Sequence, residues 1–225
     1  NIKLFNISDA KIPEVNKIMI TYKAKDLDCI FINSYSIKKN FKLIKKTNTD
    51  VVISMNFNNL ISKEFLNFFK FGILNAHYGD LPKYKGNACP NWAILNNEKK
   101  IGLSIHKMSE NLDSGPIYKK DFLRINKETY INDIYSWGES KIPSMFLESL
   151  DLIKKGVKPK PQSKKFKPLR CFPRKPEDSK IDWFDNALKI NKLVRASSNP
   201  LHGAYCFTEK REKLVIWKCL VKKVN

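Results

Sequence analysis

The sequence predicts an open, mostly parallel α/β sheet with a small α+β extension towards its C-terminal end. Three observations carry that expectation. Short apolar runs alternate with stretches of helical periodicity through the first 125 residues. Two of the runs, DCIFINS (28–34) and DVVISM (50–55), are apolar without a polar face, as strands covered on both sides are. Beyond residue 155 the chain turns rich in proline and lysine, and after residue 178 roughly fifty residues remain, enough for an appendage and too few for a second large domain.

Taken in order, NIKLFNI (1–7) reads as a strand, and Ile12, Val15, Ile18 and Met19 follow Pro13 at helical spacing. A lysine-rich helix is expected around 36–47, between the two apolar strands. Leu60, Ile61, Phe65, Leu66 and Phe69 then fall on helical periods, before the strand FGILNAH (71–77). HYGDLPKYKGNACP holds two glycines and two prolines in fourteen residues and reads as a large loop. A helix at 90–97, a strand at 101–108, a turn at 109–116 and a strand at 117–125 come next. From 130 to 155 the pattern is helical, with an interruption expected near Pro143 and a stop at Gly156. Five prolines over 156–178 predict an extended crossing with no packed element, and the remainder predicts one helix and two closing strands. The division expected is a main α/β domain over 1–155, a linker over 156–180 and an extension over 181–225.

A formal charge of +20 raises the possibility of a polynucleotide partner, since basic surfaces gain from counterion release. The basic residues are 37 Lys against 5 Arg, however, and lysine is the typical residue of a solvated surface, whereas readers of nucleic acid lean on the arginine fork. A basic RNA-binding domain therefore stands as a rival reading, one that lacks the glycine-aromatic signature of RNA-reading modules. Five cysteines with no CxxC pair, and no histidine at ligand spacing, predict reduced thiols and no metal site. With no apolar run near the roughly 20 residues that span a bilayer, and no signal-like N-terminus, the expectation is a soluble cytoplasmic protein without a membrane partner.

Asn75 and His77 are two apart in a strand and so share one face, at the end where open α/β sheets bind ligands. Asp113 follows 36 residues after His77, in the loop LDSGP. Together the three suit acyl transfer to an amine. Asn75 offers an N–H to an oxyanion, His77 accepts the amine proton, and Asp113 orients the ring and stabilises its charged form. A direct transfer then needs no Ser or Cys nucleophile.

LNAHYGDLPKYKG followed by IHKMSENLDSGPIY resembles the formyltransferase family that includes methionyl-tRNA, glycinamide ribonucleotide and nucleotide-sugar formyltransferases. The resemblance is close over roughly residues 50–120 and places the family's Asn, His and Asp on Asn75, His77 and Asp113, with Lys85 where arginine is more usual. It implies a Rossmann-like fold, 10-formyltetrahydrofolate as co-substrate and no metal. By that resemblance Met55, Asn56, Phe57 and Leu60 face the folate, with Leu112 expected to join them from beside Asp113; by their place in the loop, Lys83, Tyr84 and Asn87 are expected to meet the nucleotide sugar, Lys83 as a point charge for its diphosphate. His106 and His202 are read as structural. RCFPRKPEDSKIDW (170–183) and LVRASSNPLHGAY (193–205) are similar to segments of nucleotide-sugar formyltransferases of lipopolysaccharide O-antigen synthesis. With only about forty residues after Trp183, against the larger C-terminal barrel of tRNA enzymes, the implied acceptor is a dTDP-linked amino sugar, dTDP-4-amino-4,6-dideoxyglucose first. Methionyl-tRNA is the alternative acceptor, and the closing strands are expected to pair two subunits into a homodimer.

Overall fold

The computed structural model describes residues 6–7, 33–34, 41–42, 44–46, 48–55 and 61–222. They fall into two units, Asn1–Leu74 and Asn75–Asn225. The helix expected over 12–25, and part of the one expected over 36–47, lie outside the described residues.

In the first unit β1 (Asn6–Ile7) and β2 (Asn33–Ser34) pair in parallel, Asn6 opposite Asn33. The intervening chain is long enough for the crossover that a parallel pair requires. β3 (Val51–Ser54) is followed by α1 (Lys63–Phe68), whose start is fixed by Ser62: its hydroxyl accepts from the Phe65 N–H at 3.3 Å. Phe65 and Leu66 are the buried residues of this helix, and the Phe65 ring meets Phe69 edge-on with centroids 5.1 Å apart. The chain then enters β4 (Gly72–His77), a run buried at every position except Asn75.

The second unit begins within β4 and continues with β5 (Tyr84–Gly86), α2 (Cys89–Leu95), β6 (Lys100–Lys107) and β7 (Ile117–Arg124). β6 and β7 are antiparallel, with Lys100 opposite Arg124 and a register irregularity between Ile105 and His106. Residues 108–116 are too few for a parallel crossover, which makes this part of the sheet a long hairpin and the sheet mixed. α3 (Ile131–Lys154) starts where the Asp133 carboxylate accepts the Tyr130 N–H at 2.7 Å. It runs without interruption through Pro143, contrary to the break expected there. Pro143 and Glu139 both lie on the exposed face, so the carbonyl that proline leaves unserved is open to water.

The crossing after α3 also differs from expectation. Leu169–Cys171 form β8, parallel to β5, with Tyr84 opposite Leu169 and Gly86 opposite Cys171. Backbone pairing alone makes this strand: Leu169 and Arg170 are exposed and only Cys171 is buried, so no apolar pattern announces it. A 3-10 turn at Pro176–Ser179, α4 (Ala187–Ser197), and the antiparallel pair β9 (Ala204–Phe207) and β10 (Lys213–Ile216) complete the chain. The core of this unit joins Ala93, Ile94, Ile101, Ile131, Ile134 and Ala196, from α2, β6, α3 and α4. Ile101 ties into it β6, the strand that ends at His106 and Lys107. Among the described residues no helix is long and apolar enough to cross a membrane.

Candidate active site

β4 delivers Asn75 and His77 to one face, as strand periodicity requires. The His77 ring is buried at 7% exposure, and its Nε2 lies 2.9 Å from the Tyr84 carbonyl. A carbonyl only accepts, so Nε2 carries the hydrogen and a neutral ring keeps its lone pair on Nδ1. That nitrogen faces the Asp113 carboxylate, with Oδ2 at 3.6 Å. The close approach of ring and loop depends on Gly79: a Cβ there would lie 2.3 Å from His77 Nε2 and 2.5 Å from the Tyr84 carbonyl oxygen.

Asn75 is partly open, and its Nδ2 lies 3.4 Å from Nε2 of His106 on β6. His106 is 1% exposed and its Nδ1 donates to the Lys107 carbonyl at 3.1 Å, which leaves a lone pair on Nε2 for the Asn75 amide. Burial, reinforced by the neighbouring His77, pushes the His106 pKa down to about 4 despite the Asp113 charge. His106 is therefore a neutral acceptor at ordinary pH. One Asn75 N–H is directed to it, and the second has no partner among the described residues.

Asp113 sits on the turn between β6 and β7 with φ +45°, a conformation that L side chains rarely adopt. Oδ2 accepts the Gly86 N–H at 2.8 Å, and Oδ1 lies 3.7 Å from His106 Nε2. Beside it, Lys85 donates to the Ser114 hydroxyl at 2.7 Å, which in turn donates to the Leu112 carbonyl at 2.9 Å. Burial lowers the Lys85 pKa, and the Asp113 charge opposes that shift. Gly115 closes the turn: a Cβ there would lie 1.7 Å from the Lys107 carbonyl oxygen. Cys89 lies behind His77, with Sγ 3.8 Å from Nε2. Its thiol donates to the Gly86 carbonyl at 3.4 Å, and the neighbouring Cys171 thiol and burial together push its pKa well above the usual range.

Asn75, His77 and Asp113 are thus brought together, with His106 among them. The other candidates are placed differently. Lys83 directs its ammonium to Glu98 at 3.2 Å, and the Tyr84 hydroxyl donates to the same carboxylate at 2.9 Å. Asn87 is exposed, and its N–H holds the Cys171 carbonyl at 3.0 Å. Leu112, 42% exposed, presents its side chain beside Asp113, and Met55 is exposed just after β3. Asn56, Phe57 and Leu60 lie outside the described residues. Among the described residues no group of three or more His, Cys, Asp or Glu is arranged to hold a metal ion.

The sequence reads His106 as structural, and the structure sets this buried ring against the Asn75 amide and the Asp113 carboxylate. Sequence reasoning passed over the backbone of β5, which no side-chain motif can announce.

The family model described as formyl transferase matches residues 15–150, and the one described as formyl transferase, C-terminal domain, matches residues 174–225. A methionyl-tRNA formyltransferase of Thermodesulfovibrio yellowstonii is 33% identical over 186 residues, covering 82% of this chain and 59% of that protein. The chain thus spans little more than half the length of that relative. Among solved structures, a 4-N formyltransferase from Francisella tularensis matches with a TM-score of 0.74 at 17% identity, over 100% of this chain and 88% of that one. HypX from Aquifex aeolicus in complex with tetrahydrofolic acid matches with a TM-score of 0.65 at 20% identity, over 80% of this chain and 31% of that one. At such identities the structures share the α/β fold. The family model alone covers more than half of the sequence, and the chain belongs to the formyl transferase family.

Proposed function

We propose that this protein transfers a formyl group from 10-formyltetrahydrofolate directly to the amine of a nucleotide-linked amino sugar, dTDP-4-amino-4,6-dideoxyglucose being the first candidate. The observation that carries the transfer is the meeting of three side chains: the lone-pair nitrogen of His77 towards Asp113 at 3.6 Å, with the Asn75 amide beside them on β4. The donor supplies the formyl carbon, to which the amine nitrogen bonds as the carbon's bond to N10 breaks. Asn75 gives its free N–H to the negative charge that builds on the formyl oxygen. His77 receives the amine proton at Nδ1, because its Nε2 hydrogen is committed to the Tyr84 carbonyl. Asp113 stabilises the imidazolium so formed, and the proton passes on to the departing N10.

The residues fit such a donor. The exposed Leu112 side chain offers apolar contact to a pterin next to Asp113, and Met55, Asn56, Phe57 and Leu60 are assigned to the same ligand by family resemblance. Formyl transferases share this fold with HypX, which has been seen with tetrahydrofolic acid. Lys83, Tyr84 and Asn87 are assigned to the nucleotide sugar. Support for the sugar comes from the CFPRKPEDSKIDW segment, which is similar to segments of nucleotide-sugar formyltransferases. The chain divides functionally into a catalytic part over 1–155, a linker and an extension from 181. It works in the cytoplasm as a homodimer through that extension, where Phe207, Leu214 and Trp217 are exposed. The second reading, methionyl-tRNA as acceptor, is favoured by the 33% identity to an enzyme of that name.

The test is formylation of dTDP-4-amino-4,6-dideoxyglucose and of methionyl-tRNA by the purified protein with 10-formyltetrahydrofolate. Transfer to the sugar, with modest salt dependence, is expected. Transfer to the tRNA alone, weakening by about 10³ or more between 50 and 200 mM salt, replaces the sugar by the second reading. No transfer to either overturns both.

A further inference from the structure

Gln162 lies in the proline- and lysine-rich crossing after α3, remote in sequence from the site. Lys160 and Ile117 exchange both backbone hydrogen bonds, each at 2.8 Å, in an isolated antiparallel bridge. Continued by two residues, that register sets Gln162 against Gly115 at the base of the Asp113 turn. There the Gln162 Nε2 donates to two carbonyls at once, those of Asp113 and Gly115, each at 2.8 Å. The opposite orientation of the amide would set its oxygen against both carbonyl oxygens, so the contacts fix which way it points. Its own oxygen, Oε1, is buried and has no hydrogen-bond partner among the described residues, so the side chain's orientation serves the turn at the expense of its own acceptor. The turn needs such a hold: Asp113 is at φ +45°.

We propose that Gln162 is a positioning residue that sets the Asp113 carboxylate by clamping the two carbonyls flanking Ser114. The catalytic meaning of this rests on the formyl-transfer reading above, and the placement of the carboxylate does not. Asp113 Oδ2 accepts the Gly86 N–H at 2.8 Å, so the exchange rate of that one amide reports whether the carboxylate is in place, with no substrate present.

The experiment is Gln162→Glu in the whole chain. The change keeps size and shape and replaces the double donor by an acceptor facing two carbonyls. Hydrogen exchange followed by NMR should show the Gly86 amide exchanging about tenfold faster, with the Leu103 amide in β6 unchanged. In the transfer assay turnover should fall by about 10²-fold with little change in donor KM. Relative to wild type it should recover as pH is lowered from about 8 to about 5.5, because a protonated glutamic acid again donates to one carbonyl. In an Asp113→Asn background Gln162→Glu should cost little more, since the two act as one unit. Gln162→Lys, which restores donors to the carbonyls, should rescue most of the Gly86 protection. A Gly86 amide as protected in Gln162→Glu as in wild type overturns the positioning role whatever the protein's activity. A turnover loss of equal size in the Asp113→Asn background overturns its action through Asp113. A wild-type protein that transfers nothing overturns the formyl-transfer reading, and the Gly86 measurement still decides whether Gln162 positions the carboxylate.

Discussion

The two halves of the site are built in opposite ways. Asn75 and His77 stand on β4, where alternation along a buried strand sets both directions, and the buried Leu74 and Ala76 face the other side. Asp113 stands on a turn in a backbone conformation that favours glycine, held from outside by the Gly86 N–H, by Lys85 through Ser114, and by Gln162. A strand supplies orientation from its own period. A strained turn must borrow it from partners elsewhere in the sequence. The difference means that substitutions in the strand half should act on chemistry, and substitutions around the turn half should act on geometry first.

The largest effect is expected where the halves meet. His77→Ala should lower turnover by about 10² to 10⁴-fold in a folded protein, and Asp113→Asn should do nearly as much, both measured by single-turnover formyl transfer. A folded His77→Ala variant with near-normal turnover would remove that ring from the mechanism and dissolve the comparison. Asn75→Ala should cost about 10² to 10³-fold through the lost oxyanion donor, with thermal stability little changed. Gly115→Ala probes the turn half alone. Its Cβ would meet the Lys107 carbonyl, so the hairpin must shift, and we expect a loss of about 3 kcal/mol in urea unfolding.

His106 sharpens the comparison by pH. Its pKa is about 4 in the folded protein against 6.5 as a free side chain, so between those values the unfolded chain binds the extra proton. Stability should therefore rise with pH through that window, and falling pH should remove up to about 3 kcal/mol. His106→Gln, which has no group titrating there, should flatten this part of the stability profile. The smallest effect is expected for Lys85→Met. It removes the Ser114 contact and also a part-buried ammonium that burial disfavours, so turnover should fall by only about threefold to tenfold. A loss as large as that of Asp113→Asn would show that the turn hangs on Lys85 more than on Gln162.

The strand half was legible because its signals are local. FGILNAH, IGLSIHKM and IYKKDFLRI are apolar or alternating runs, and they lie within a residue or so of β4, β6 and β7. The spacing of Asn75, His77 and Asp113 could likewise be read directly. What escaped reading is tertiary. β8 has no apolar pattern because pairing with β5 makes it a strand, and Pro143 fails to break α3 because its position on the helix surface, invisible in the sequence, determines the cost. In the sequence Gln162 is one polar residue among prolines and lysines, and only the Lys160–Ile117 bridge gives it a target. Lys83 was assigned to a diphosphate by its place in the loop, and its ammonium rests on Glu98, a partner fifteen positions along the chain.

The pairing of β5 with β8 sets a time as well as a place. Tyr84, whose carbonyl fixes the His77 ring, is opposite Leu169, and 169 minus 84 is 85 residues of chain. During synthesis at about 5 to 20 residues per second, roughly 4 to 17 seconds separate the two. A nascent chain ending before residue 169 can form the β6–β7 hairpin and start α3, yet β5 has no second strand and Gln162 is still close to the site of synthesis. The β5–β8 pairing behind the Tyr84 carbonyl and the Gln162 hold on the Asp113 turn are thus among the long-range contacts that close late.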